Sequence, residues 1–99
     1  EEGIQMMKDK CAFNVGLAYT LKGDYESAKK SLECVKVEDR DANYYYLYSI
    51  VGARTNDLDM TTSNLTRSIQ LDPEKREMAK SDLEFRKVKD RAEFQNALR

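Results

Sequence analysis

Apolar residues recur at three- and four-residue spacing through most of the chain. That spacing places them on one stripe of a helix and leaves polar residues on the other. The pattern predicts helices over about 4–21, 25–37, 42–55, 58–71 and 73–80, with a final short pair within 82–98. No stretch alternates with strand period. Tyr44-Tyr45-Tyr46 is β-prone by composition, but it opens Leu47-Tyr48-Ser49-Ile50-Val51, which continues at helical period. The expected fold class is all-α.

The turns carry their own signals. Gly23 and Asn56 are suited to a positive φ at a helix end, and Asp24 and Asp57 can then cap the helices that follow. Asp72-Pro73 starts the fifth helix in the same way, with proline tolerated in a first turn. These signals repeat. Gly23-Asp24-Tyr25 is echoed by Asn56-Asp57-Leu58 about 33 residues on, and at the same offset Ala12 answers Tyr45, Val15 answers Tyr48, Gly16 answers Ser49, Ala28 answers Thr61 and Leu32 answers Leu65. Two helices per unit of that length belong to a short list of solenoids.

On these residues the chain resembles the tetratricopeptide repeat family. The first unit reads Ala12, Val15-Gly16, Tyr19, Gly23-Asp24-Tyr25, Ala28, Leu32, and the second Tyr45, Tyr48-Ser49, Gly52, Asn56-Asp57-Leu58, Thr61, Leu65, closing with Leu71-Asp72-Pro73. The second unit departs from the family pattern at Gly52, where an aromatic is usual, and at Thr61 and Ser68, which replace alanines. The ankyrin Thr-Pro-Leu-His signature is missing. The resemblance implies a right-handed superhelix of two helix-turn-helix hairpins within a single domain: repeat one over about 9–41, repeat two over about 42–75 and a C-terminal cap over about 76–99. Small residues at Gly16, Ala28, Ser49 and Thr61 would let the helices of a hairpin approach, with Tyr19, Leu32, Tyr45, Tyr48 and Leu65 filling between hairpins.

A solenoid needs a polar outer face where stacking stops. In the tail, Met78, Ala79 and Leu83 are expected to cover the open end of the second hairpin, while Glu74, Lys75, Arg76, Glu77 and Lys80 stay wet. Ser81-x-x-Glu84 and Asp90-x-x-Glu93 read as capping boxes of two short helices that must bury Phe85, Val88, Phe94 and Leu98.

Composition narrows the function. Charged residues make up 35% of the chain, yet the formal net charge is only −1, so no basic excess marks a nucleic-acid binder. Mean hydropathy is −0.77, and no apolar run reaches the length of a membrane span. The first residue is Glu1, not methionine, and the chain is expected to be a piece of a longer polypeptide. There is no histidine, no phosphate-binding glycine loop and no calcium-loop spacing among the acidic residues. Asn64-Leu65-Thr66 is a glycosylation tripeptide set inside a predicted helix. Cys11 and Cys34 match no zinc spacing. Two small core thiols are the expected reading, with a disulfide across antiparallel helices as the alternative.

The expected function is therefore a non-catalytic protein-interaction module without cofactor or metal. By the family resemblance the first helix of each hairpin lines a concave groove. The lining is Lys10, Phe13, Asn14, Leu17, Thr20 and Leu21, then Tyr46, Leu47, Ile50 and Arg54, with Arg76 and Lys80 from the fifth helix. That mixture suits a peptide with some negative charge. Arg76, Lys80, Lys10 and Asn14 imitate parts of the clamp with which some family members grip a terminal carboxylate, but Leu47 stands where the clamp wants Asn. The alternative is a structural spacer or terminal cap, able to self-associate through Ile4, Met6 and Met7. Segments from Tyr46-Leu47 to Asn56, Ser63-Asn64-Leu65 and Asp82-Leu83-Glu84-Phe85 are similar to the closing segments of tetratricopeptide-bearing bacterial cell-envelope proteins. This implies an envelope or periplasmic location, with the cytoplasm as the alternative.

Overall fold

A computed structural model describes residues 11–99, which form six α-helices and two 3-10 turns with no strand among them. The chain divides after Arg40 into two units. The first holds α1 (Phe13–Lys22), α2 (Tyr25–Glu33) and a 3-10 turn (Val37–Asp39). Gly23 ends α1 at φ 91°, where only glycine is unstrained, and the next amide returns to the Tyr19 carbonyl at 2.9 Å. Asp24 accepts from the amide and hydroxyl of Ser27 at 3.2 and 2.8 Å. The hydroxyl bond is the main cause that holds its carboxyl below the usual range.

α1 and α2 approach closely because position 16 has no side chain. A Cβ there would lie 2.6 Å from Leu32 Cδ2. Ala28 and Leu32 are fully buried on the facing side.

Three expectations for this unit change. Residues 11 and 12 form a bend, so the helix expected over 4–21 is interrupted there and α1 begins at Phe13; residues 4–10 lie outside the described stretch. α2 stops at Glu33 instead of running to 37, and the Arg40 guanidinium takes over carbonyls left at its end, those of Glu33 and Val35, each at 3.0 Å. Cys11 and Cys34 are not separate core thiols but a disulfide with Cα atoms 5.1 Å apart. The antiparallel hairpin brings the start of one helix to the end of the other.

The second unit holds α3 (Ala42–Arg54), α4 (Leu58–Leu71), α5 (Glu74–Ser81), a 3-10 turn (Leu83–Phe85) and α6 (Ala92–Ala97). Its hairpin repeats the first one's turn: Asn56 takes φ 62° and Asp57 caps α4 by accepting from the Met60 amide at 3.0 Å. Asp41 caps α3 through the Tyr44 amide at 2.9 Å. Gly52, a departure from the family pattern, has a packing reason: a Cβ there would lie 2.7 Å from the Thr61 backbone nitrogen. Ser49 Oγ donates to the Thr61 carbonyl at 2.6 Å, and Ser68 Oγ to the Ala42 carbonyl at 2.8 Å, so two side-chain hydrogen bonds cross the α3–α4 seam.

The tail completes the core. Phe85, Phe94 and Leu98 are buried with Tyr46, Leu65, Ile69 and Ala79, and Val88 packs against them. The tail's caps differ from those expected. Ser81 is the last residue of α5, and Asp82 does the capping, accepting from the Glu84 amide at 2.9 Å. α6 follows Arg91 with no side-chain cap, so Asp90 caps nothing. Met78 and Leu83 point to solvent, at 46% and 73% exposure. Only Ala79 of the expected covering trio is buried, because Phe85 and Phe94 already fill the position.

Candidate functional site

The groove residues expected from the sequence divide between the two units. Lys10 lies outside the described residues. On α1, Asn14 is exposed, Phe13 and Leu17 are half-buried, and Leu21 is exposed. Thr20 does not line a surface: it is buried, and its hydroxyl donates to the Gly16 carbonyl at 2.8 Å. Leu47 is buried too. Lys80 is exposed and pairs with Glu77 at 3.0 Å, a neighbour on its own helix.

The remaining residues converge on the second unit's own tail. α3 carries Tyr46, Ile50 and Arg54 at four-residue spacing, which sets them on one face. Tyr46 donates its hydroxyl hydrogen to Asp82 Oδ2 at 2.6 Å. Its ring meets Phe85 edge-on, with centroids 5.7 Å apart, and Lys75 Nζ stands 5.7 Å from its centroid. Arg54 grips Glu84 with two parallel bonds, Nε to Oε1 at 2.9 Å and Nη2 to Oε2 at 2.7 Å. Ile50 packs against the core between them. Arg76 on α5 holds the Leu98 carbonyl at 2.6 Å and the Arg99 carbonyl at 3.3 Å.

The part of the expected groove carried by Tyr46, Ile50 and Arg54 therefore holds residues 82–85 of the same chain. Electrostatics agrees with the geometry. The bidentate Arg54 contact holds the Glu84 carboxyl below its usual range, against a smaller opposing effect of burial. Burial first, and then the Asp82 carboxylate, push the Tyr46 hydroxyl far above its ordinary value. It stays a donor at every physiological pH.

Asp82, Glu84, Phe85 and Lys75 are the site residues that the groove reading missed. Their signal was an Asp-x-Glu-Phe run and the basic edge of α3, read separately. Among the described residues no group of three acidic, cysteine or histidine side chains is placed to hold a metal, and no helix is long and apolar enough to cross a membrane. Comparisons with protein-family models, curated proteins and solved structures give no match.

Proposed function

We propose that the chain is a non-catalytic tetratricopeptide-type module whose second hairpin is closed by its own following segment, so that it acts as a structural spacer or end cap within a larger assembly. The observation that carries this reading is the double contact of α3 with the tail, Tyr46 to Asp82 and Arg54 to Glu84. A face occupied in this way is withdrawn from stacking on a further repeat, which is what ends a solenoid. The two turns, Gly23-Asp24 and Asn56-Asp57, each with a positive φ followed by an aspartate cap, support the repeat assignment. The right-handed course of the array belongs to the same reading.

Binding of a peptide on the first hairpin remains a second reading, favoured by the exposed Asn14 beside half-buried Phe13 and Leu17 on α1. The Cys11–Cys34 disulfide is compatible with an oxidising compartment and so supports the envelope proposal.

The cap reading is tested with the charge-reversed variant Asp82→Lys/Glu84→Lys, which sets lysines against Arg54. Light scattering is read beside far-UV circular dichroism. The cap reading expects a monomeric parent chain and a variant that keeps its helix content but associates with rising concentration. A helical variant that stays monomeric throughout that range removes the cap function.

A further inference from the structure

The tail meets α3 by more than apolar burial. Within residues 82–85, positions one, three and four are each read by a separate group. Asp82 is read by the Tyr46 hydroxyl, Glu84 by the Arg54 fork and Phe85 by the Tyr46 ring edge. Position two is not read: Leu83 is 73% exposed. The two hydrogen-bonded pairs are side-chain contacts between residues 36 and 30 apart in the chain. They do not depend on the backbone link between the partners. The Arg54 and Glu84 side chains are 27% and 30% exposed, so water, and hence a competing carboxylate, reaches the pair.

We propose that the face formed by Tyr46, Ile50, Arg54 and Lys75 is a receptor site for an acidic–aromatic peptide of the pattern Asp-x-Glu-Phe, and that residues 82–85 occupy it as a built-in ligand. A partner carrying this pattern binds by displacing them. The tyrosine hydroxyl and planar guanidinium set the spacing of the two carboxylates, and the aromatic slot beside Tyr46 sets the third position. Lysine in place of either acid meets Arg54 and Lys75 as like charge and is rejected. Because the resident segment is tethered, it competes at a high effective concentration, and the site stays closed to weak ligands. The inference deepens the reading that the second hairpin is closed by its own tail, and its test is separate from the association assay above.

The test uses the full chain and a fluorescein-labelled hexapeptide, Ser-Asp-Leu-Glu-Phe-Arg, followed by fluorescence anisotropy. Glu84→Gln loosens the resident ligand at constant shape. The peptide is expected to bind this variant roughly tenfold or more tighter than the parent chain, since a neutral amide forfeits the charge-assisted fork. Adding Arg54→Glu should abolish binding, as should glutamine for glutamate in the peptide. Equal binding to parent and Glu84→Gln, binding to neither, or binding indifferent to the peptide's acids overturns the proposal while leaving the cap reading standing. Should Glu84→Gln fail to fold, hydrogen exchange on the parent chain decides. Excess peptide should speed exchange of the Glu84, Phe85 and Val88 amides, which bond to Asp82 and Phe85 in the resident segment. Unchanged exchange overturns it equally.

Discussion

Replacing Gly52 by alanine puts the packing account of the α3–α4 hairpin at risk, because propensity and packing predict opposite signs. Alanine in a helix interior is favoured over glycine by about 1 kcal/mol. The added Cβ, however, falls 2.7 Å from the Thr61 backbone nitrogen, 2.9 Å from Thr61 Oγ1 and 3.1 Å from the Asp57 carbonyl oxygen. Ordinary contact needs roughly 3.5 Å. The first turn of α4 must therefore retreat by several tenths of an ångström. No side-chain rotation relieves the clash, since the nearest atom is backbone. That retreat stretches the 2.6 Å bond from Ser49 Oγ to the Thr61 carbonyl, both groups being buried. Overpacking costs about 1–3 kcal/mol and a weakened buried hydrogen bond about 1 kcal/mol, so the net effect is destabilisation of about 2 kcal/mol. In a domain of this size that lowers the thermal midpoint by roughly 10 °C. Gly16→Ala is the internal comparison. Its Cβ meets Leu32 Cδ2 at 2.6 Å and Cγ at 2.8 Å, side-chain atoms of a fully buried residue that must repack but leave the backbone in place. Overpacking of about 1–3 kcal/mol less the helix gain of about 1 kcal/mol leaves a cost of about 1 kcal/mol. Urea unfolding of the two variants, followed by far-UV circular dichroism, makes the comparison. A Gly52→Ala chain as stable as the parent refutes the close-approach reasoning.

Three further outcomes follow from the ion pair and the disulfide. Truncating Arg54 and Glu84 singly and together should reveal a coupling of about 1 kcal/mol, modest because both side chains are near 30% exposed. Since Glu84's folded carboxyl titrates below its unfolded value, this contribution is complete above the ordinary carboxylate range. It is lost as pH falls through the folded value, so Glu84→Gln should flatten the acid limb of the stability profile. Reducing the Cys11–Cys34 bridge opens a loop of sequence separation 23. The first hairpin should lose about 3 kcal/mol on a chain-entropy account, seen as a lower thermal midpoint under thiol reductant. An unchanged midpoint with fully titrated thiols contradicts that value.

What could be read in the sequence was local. The turns at Gly23 and Asn56 and the caps at Asp24 and Asp57 sit within a few residues of the groups they serve, and their chemistry is visible in a short window. The apolar tail positions Phe85, Phe94 and Leu98 were legible because only a core can take them. Contacts distant in the chain were not. Arg54 and Tyr46 carry the same chemistry whether they wait for a peptide or hold Glu84 and Asp82, and nothing within α3 separates the two. Ser81 and Asp82 are both competent caps, and the helix end fell one residue later than the capping-box pattern suggested. The disulfide depended on where antiparallel helices place Cys11 and Cys34, which their spacing left open.

The central claim is that the tail belongs to the fold of the second hairpin instead of trailing from it. Native-state hydrogen exchange tests it most directly. The amides of Phe85, Val88 and Leu98, bonded to the Asp82, Phe85 and Phe94 carbonyls, are expected to exchange through the same opening as Leu65 and Ile69 in the core of α4. Exchange of those three amides at the rates of an unstructured chain, with α4 still protected, would contradict it.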